Sequence, residues 1–559
     1  MLPPLKTSIR RLPGPAALAI VASLASLAAC APVEAPPRAA PQAPASTAPR
    51  APIVVVVVLD QVGSWVLERA RPSLPPSGLL RRCMAQGAYH QRTVYEHAGT
   101  LTAPGHAVIS TGAPPAVSGI DSNRRYVDGL GKRSIVDDAK YPLFGDPSVG
   151  ASPVSLLTPS VSDLLDEHTG GAAQIVSVSV KDRAAVLLGG KKADVALFLD
   201  GKTGTYTTSS YYAQTLPAWL ATHQRAHPLA SYSAPWLPLD LALLAAHTDG
   251  DEGPGEGDME GFGVVFPHDS VKTRDPVYLH TFTPGAVDMM LDVARAAVAA
   301  HHLGEDEVTD LLWLSVSTTD HVGHTFGAES WEMLDTLLRV DAALGVFVAE
   351  LERRAPVRLL VTADHGIVPM VERSRALGID ARRWTDAEMF AAVDEALSRR
   401  FGQGKYAVGF GQPYLYLAPS ARTPEHQRLA AEALSRVPGI AQAYAVTDVA
   451  GATAAPESLR RAVARSIAPG TRGDVFVVPG LYSSYDDDVP HGAGVSHGSP
   501  WPYDREVPVI VCGAGVGSIE TTQALSASRI ATTIAALAGV PGPPGAGAEP
   551  LPGVRLAPR

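Results

Sequence analysis

The sequence predicts an α/β fold: a mostly parallel central sheet with helices on both faces and an inserted α+β cap subdomain. Three observations carry this. Apolar β-branched runs recur along the chain, several of them ending in a carboxylate. Stretches with apolar residues every three or four positions lie between them. The 559 residues are enough for one large core plus an insertion. Apolar residues make up 46% of the chain and charged residues 18%, a globular balance that excludes general disorder.

Residues 1–29 read as an export signal: Lys6, Arg10 and Arg11 precede AALAIVASLASLAA, an apolar stretch too short to span a bilayer. A generic cleaved signal is the alternative, but LAAC resembles the lipobox of bacterial lipoproteins, which implies that Cys30 is acylated. The export route stays open, since IRRLPG fits a twin-arginine pattern poorly. Residues 30–52 are nearly all Ala, Pro and polar residues and are expected to form an extended tether. The chain is thus expected to be an exported lipoprotein, on the periplasmic side of the outer membrane or at the cell surface. Its lipid anchor is expected to be its sole membrane contact. Without the signal, 43 basic residues face 56 acidic ones, a net charge of −13, which argues against a nucleic-acid partner or a polybasic membrane-surface role. A monomer is expected.

The folded part begins with IVVVVVLD (53–60), a continuous β-branched run suited to a strand buried on both faces. GTLTAPGHAVISTG (99–112) follows; its threonines, proline, glycines and histidine are the wrong composition for a buried structural segment, and a short helix is expected to begin at Thr102. QIVSVSV (174–180) ends just before Lys181. Residues 247–270 are acidic and glycine-rich, expected to be a solvated surface loop, with calcium binding the alternative. Helical periodicity covers 284–301 and 329–354, around the strand-like runs LLWLSVSTTD (311–320) and VRLLVTAD (357–364). From 370 to 480 the pattern changes to two helical stretches, 386–401 and 424–437, and short strands such as PYLYLA. This is the expected cap, and it divides the core into 53–369 and 481–559, where VPVIVCG supplies a further strand. No internal repeats occur. Cys83 and Cys512 are the other cysteines, and their pairing cannot be read from sequence.

In open α/β sheets, sites gather at the carboxyl ends of strands, where Asp60, Asp320 and Asp364 are all expected. One such aspartate alone reads as a turn former or helix cap; three at equivalent ends do not. STTDHVGH (317–324), TADHG (362–366) and GVSHGS (494–499) add histidines beside them. Aspartate with imidazole suits zinc and admits manganese or iron. Asp320 and His324, four apart, can reach one ion from a helical turn or a tight loop.

In the number and order of these motifs, from about residue 53 to about residue 540, the chain resembles the alkaline phosphatase superfamily. The branch it resembles is that of type I phosphodiesterases, nucleotide pyrophosphatases and phosphate-irrepressible alkaline phosphatases. The resemblance implies an alkaline phosphatase-like fold and two zinc ions per chain, one held by Asp320, His324 and His497, the other by Asp60, Asp364 and His365. Thr102 would bridge from the second zinc to the substrate phosphorus, because TAPGHAVISTG resembles the family's nucleophile segment. Thr100 competes, but its position relative to PGH does not match. Coordination to a divalent metal makes a hydroxyl a competent nucleophile, and amides at a helix start favour phosphate. Pro104 with Gly105 is expected to let the backbone turn and present the hydroxyl, and His106 to be structural.

SVKDRAA (179–185) places Lys181 and Arg183 two apart on an expected extended segment. Its KDR resembles the signature that separates the monoesterases from their diesterase relatives. Asn123, in GIDSNRRY, matches an asparagine that donates to a phosphate oxygen. DSNRRY departs by carrying two arginines where relatives often have an aromatic-rich stretch, and the sulfatase signature is absent. The function these readings imply is a two-zinc alkaline phosphatase hydrolysing phosphate monoesters through a phosphothreonine intermediate. The rivals are a phosphodiesterase or nucleotide pyrophosphatase on the same metals, and a lipoprotein that only binds metal or phosphate.

Overall fold

The computed structural model describes residues 50–248, 250–452, 458–485 and 494–554. The export signal, Cys30 and nearly all of the tether lie outside the described residues. In chain order the strands are β1 (Ile53–Leu59), β2 (Ala88–Val94), β3 (Arg124–Val127), β4 (Gly131–Ser134), β5 (Ile175–Ser179), β6 (Val195–Asp200), β7 (Thr205–Thr207), β8 (Asp310–Val316), β9 (Val357–Thr362), β10 (Arg383–Trp384), β11 (Ala407–Gly411), β12 (Tyr414–Leu417), β13 (Ile440–Ala445), β14 (Val475–Pro479), β15 (Ser484–Tyr485), β16 (Glu506–Gly513), β17 (Ile519–Thr521) and β18 (Leu525–Ser526). The helices that matter below are α1 (Leu79–Gln86), α2 (Thr102–Thr111), α3 (Asp182–Gly189), α4 (Pro284–Ala300), α5 (Thr318–Phe326), α6 (Trp331–Glu352), α7 (Asp386–Phe401) and α8 (Pro424–Leu434).

Ten strands form one sheet in the order β17-β2-β16-β9-β1-β8-β5-β6-β7, with β18 also on β2. β1 is buried along its whole length and pairs in parallel with β8 on one side and β9 on the other. Its unbroken β-branched run fits that place, because a central strand has no wet face to pattern. β5 extends the parallel set beyond β8. The mostly parallel α/β fold is therefore as expected, with one qualification. β16 is antiparallel to both β9 and β2, since an apolar run reads the same in either direction.

A second difference sits after β8. The run LLWLSVSTTD does not stay extended to Asp320; the strand ends at Val316 and Asp320 lies in the first turn of α5. An aspartate there is favoured by the amides exposed at a helix start. Lys181 and Arg183 likewise leave the strand geometry: Lys181 is the residue before α3 and Arg183 is inside it.

Between 370 and 480, β11, β12, β14 and β13 form a four-stranded antiparallel sheet. Met389, Val393 and Leu397 of α7 and Ala430 and Leu434 of α8 pack against it in a small separate core. β10 pairs with β15. The acidic stretch 247–270 is not simply solvated: Phe262 and His268 are buried in it, with the His268 ring 5.0 Å from Phe326. Cys83 in α1 and Cys512 in β16 form a disulfide.

Candidate active site

Because β1, β5, β8 and β9 run in parallel, their carboxyl ends share one edge of the sheet. Asp60 directly follows β1, Asp364 stands two residues beyond β9, and Lys181 leads from β5 into α3. Asp320 arrives from α5, one turn ahead of His324. The i to i+4 spacing puts both on one helix face, with His324 Nε2 3.3 Å from Asp320 Oδ1. His497 comes from the distant segment after residue 494, its Nε2 3.6 Å from the same oxygen.

The three histidines share one arrangement. Nδ1 of His324 lies 2.8 Å from the Val495 carbonyl, Nδ1 of His365 2.9 Å from the Gly366 carbonyl, and Nδ1 of His497 2.8 Å from the Thr100 carbonyl. A carbonyl only accepts, so each Nδ1 carries a proton and each Nε2 is turned toward the carboxylates. This is the tautomer and orientation that metal-ligating histidines adopt. The His365 and His497 rings stack at 3.7 Å and join the two halves of the cluster.

The charges inside do not balance. Asp60, Asp320 and Asp364 are all buried, and Lys181 is the ammonium among them. Lys181 Nζ donates to Asp60 Oδ2 at 2.7 Å and to Asp320 Oδ2. Burial, then the carboxylates of Asp320 and Asp364, push Asp60 well above the usual carboxylate range. Burial would raise Asp320 too, but Lys181 and His324 outweigh it and hold that carboxyl well below. Burial, reinforced by His365 and His324, keeps His497 neutral. Three atoms that face one another in the cluster, Asp60 Oδ1, Asp364 Oδ2 and His365 Nε2, have no hydrogen-bond partner among the described residues, and neither does the buried Thr102 Oγ1. Buried carboxylates in excess of cations, with bare oxygens and imidazole nitrogens turned inward, fit divalent metal ions.

Among the described residues, two donor groups are close enough to grip an ion: Asp320 with His324 and His497, and Asp60 with Asp320 and His365. The first is the expected set. The second contains Asp320 where Asp364 was expected, because Lys181 draws Asp320 and Asp60 together. Asp364 is nonetheless adjacent, its Oδ2 3.4 Å from His365 Nε2. Its Oδ1 is held by the amides of Gln61 and His365, each at 3.1 Å.

Thr102 opens α2, a helix that is buried throughout. The expectation that its composition is wrong for a buried segment is corrected by where its polar groups go. Ser110 donates to the Leu187 carbonyl at 2.8 Å, Thr111 to that of Ala107 at 2.6 Å, and His106 reaches the Thr102 carbonyl and Ser315 Oγ, both at 2.8 Å. His106 Nδ1 also lies 3.1 Å from Asp364 Oδ2, but its hydrogen bond runs to the carbonyl. Thr102 alone on this helix keeps a bare side-chain oxygen. Thr100, the competitor, spends its hydroxyl on the Ser499 carbonyl at 2.9 Å.

Gly105 does not make the turn expected from sequence; it is helical, and a Cβ there would lie 2.2 Å from the Asp364 carbonyl oxygen. It is glycine so that α2 can lie against the loop carrying Asp364. The helix start also has fewer free amides than expected. Ala103 N donates to Asn123 Oδ1 at 2.8 Å, Pro104 has no N–H, and Gly105 N bonds Leu101. Asn123 is thereby oriented with its NH2 turned away from the helix.

Sequence motifs gave no sign of Gln61. It is fully buried at φ 71°, its amide N–H on Asp364 Oδ1 and its side-chain Nε2 3.0 Å from Asp320 Oδ1. One residue thus ties together a carboxylate from each expected ligand set. Its position next to Asp60 is the one sequence feature that sets it apart; its positive φ, uncommon for a side chain, shows only in the fold. A cavity of ≈ 460 Å³ opens over the cluster, with Asn123, Lys181, Arg183, Asp320, His324 and His497 in its lining.

Residues 54–451 match the sequence pattern of the type I phosphodiesterase / nucleotide pyrophosphatase family. A Myroides odoratus protein named a calcium-transporting ATPase is 28% identical over 516 residues, covering 88% of this chain and 92% of its own. Alkaline phosphatase PhoV of Synechococcus elongatus is 29% identical over 509 residues, covering 88% and 91%. The crystal structure of wild-type alkaline phosphatase PafA superimposes with a TM-score of 0.82 at 25% identity, covering 91% of this chain and 100% of that one.

Proposed function

The chain belongs to the type I phosphodiesterase / nucleotide pyrophosphatase family, and from that membership we propose that it is a two-zinc alkaline phosphatase that hydrolyses phosphate monoesters through a phosphothreonine at Thr102. The observation that carries this reading is the one bare hydroxyl of a buried helix that lies against the Asp364 loop, with three buried aspartates of which Asp60 and Asp320 share the Lys181 ammonium. The similarity to PhoV and PafA supports phosphatase chemistry. When bound, the metal ions supply Lewis acidity that lowers the pKa of a coordinated hydroxyl and neutralises charge on the leaving oxygen. Asp320, His324 and His497 would hold one, and Asp60, Asp364 and His365 the other.

The protein's own groups do the remainder. Thr102 Oγ1 attacks phosphorus in line, and its bond to phosphorus forms as the bond to the leaving oxygen breaks. The Asn123 amide group, fixed by Ala103, and the cations of Lys181 and Arg183 hold the phosphoryl oxygens. Water then cleaves the phosphothreonine and returns Thr102. A monoester dianion has more charge to balance than a diester, so the two cations favour monoesters. For location we keep the exported lipoprotein acylated at Cys30, supported by the signal and lipobox in the sequence.

The test compares an aryl phosphate with its bis-aryl diester on zinc-loaded protein. Lys181→Ala is expected to reduce kcat/KM for the monoester by at least about tenfold more than for the diester. A strong diester preference untouched by Lys181→Ala establishes the phosphodiesterase reading instead, and no hydrolysis of either ester leaves only binding. Thr102→Ala is expected to keep its zinc, by elemental analysis, while kcat falls by about 10³-fold or more. Near-intact turnover would remove Thr102 from its role.

A further inference from the structure

We propose that the cavity holds a second anion subsite, formed by Arg124 and Lys132, that takes a tetrahedral dianion such as a second phosphoryl group on the leaving-group side of the substrate. This rests on the phosphomonoesterase reading above and names the class of substrate it prefers. The hairpin β3–β4 pairs Arg124 with Ser134, Arg125 with Arg133 and Tyr126 with Lys132. Side chains alternate along a strand and cross-strand partners share a face. Arg124, Tyr126, Lys132 and Ser134 therefore lie on one face, Arg125 and Arg133 on the other.

The two faces treat their cations differently. On the second, Arg133 Nε lies 3.9 Å from Asp137 Oδ2 and Arg125 Nη2 is 3.4 Å from the Asp137 carbonyl. On the first, Arg124 and Lys132 line the cavity, and among the described residues no carboxylate pairs with either. The nearby carboxylates are already engaged. Asp128 at the hairpin turn receives both Arg422 Nη groups at 2.9 and 2.8 Å. Asp182 accepts from Ser134 Oγ at 2.8 Å and from the Arg183 amide at 2.7 Å.

The hairpin is also held in place. Ile135 N bonds the Asn123 carbonyl at its base, Ser134 binds Asp182 on its flank, Tyr126 packs on Tyr416, and Arg422 grips its tip. Two cations without a carboxylate partner among the described residues, carried on a cavity wall by a hairpin held in place, make a ready anion site in a chain of net charge −10. Its place relative to the reaction follows from depth. Thr102 is buried directly after Leu101, which lines the cavity, whereas Arg124 and Lys132 line the same cavity and are exposed. In-line displacement sends the leaving group away from the nucleophile, toward the mouth.

Two substrates that differ only in the extra anion test this: 4-methylphenyl phosphate, and 4-(phosphonomethyl)phenyl phosphate, whose phosphonate is not hydrolysed. Wild-type protein is expected to show a KM about tenfold lower for the second, a gain that shrinks as salt is raised. In Arg124→Ser/Lys132→Ser the two KM values are expected to agree within about twofold, with kcat/KM for 4-methylphenyl phosphate and the thermal midpoint unchanged. A wild-type protein indifferent to the phosphonate, or a double variant impaired equally on both substrates, would overturn the subsite. Failure of the phosphatase reading itself reads out separately, as no wild-type turnover of 4-methylphenyl phosphate.

Discussion

Gln61 and Gly323 occupy one piece of space. A Cβ on Gly323 would sit 1.8 Å from Gln61 Oε1, so the glycine between Asp320 and His324 is the room that lets the Gln61 amide reach Asp320. Gly323→Ala is expected to displace that amide and to lower both kcat/KM and zinc retention against a chelator by roughly 10- to 100-fold. Combined with Gln61→Ala it is expected to cost little more than Gln61→Ala alone, because both substitutions break the same contact. Additive losses would show that the alanine acts elsewhere. Sequence motifs pointed to Asp60, Asp320, His324 and His497, because ligand chemistry restricts such positions to few residue types. They could not point to Gln61, because a glutamine becomes informative only once its hydrogen bonds are known.

At the scale of elements, the start of α6 shows how a buried acid ties the acidic stretch to the core. His268 Nδ1 donates toward the Phe262 carbonyl at 3.2 Å, and Nε2 lies 3.0 Å from Glu332 Oε1; burial favours the neutral pair, in which Nε2 accepts a hydrogen bond from the Glu332 carboxyl. Burial, with Asp251 nearby, pushes Glu332 up to about 8, and burial lowers His268 to about 4. The folded protein therefore keeps a proton on Glu332 that the unfolded chain releases near its ordinary pKa of 4.5. The contribution of this carboxyl to stability is complete below that pKa, is lost as pH rises toward 8, and is gone above it. Glu332→Gln preserves a donor to His268 without the ionisation, so its Tm relative to wild type is expected to climb by roughly a few degrees between pH 5 and 8.5. A constant difference across that range would mean that Glu332 is already charged. Apolar periodicity identified α4 and α6 well, but 247–270 was read from its charges alone, and burial depends on what packs on it.

Across the whole molecule, the Cys83–Cys512 disulfide closes a sequence separation of 429 residues. A cross-link over a long loop restricts the unfolded chain and stabilises by about 2–5 kcal/mol. Cys512 pairs with Leu359, near the amino end of β9, whereas the metal-ligand candidates gather at its carboxyl end. Cys83→Ser/Cys512→Ser is therefore expected to lower Tm while leaving kcat at 25 °C within about twofold; a large loss of kcat with an unchanged Tm would contradict this. The same topology explains the site itself: four parallel strands put their carboxyl ends on one edge, and groups hundreds of residues apart meet there.

By itself the sequence determined the α/β class, the identity of the buried strands and the residue types suited to ligating a metal. Those follow from local periodicity and from side-chain chemistry, which each stretch of chain carries on its own. The tertiary structure alone decided that β16 runs antiparallel, that Cys83 meets Cys512, that Thr102 and not Thr100 keeps a bare hydroxyl, and that Gln61 spans Asp320 and Asp364. Each depends on a contact between segments far apart in the chain, and strand direction, hydrogen-bond saturation and charge pairing exist only once those segments touch.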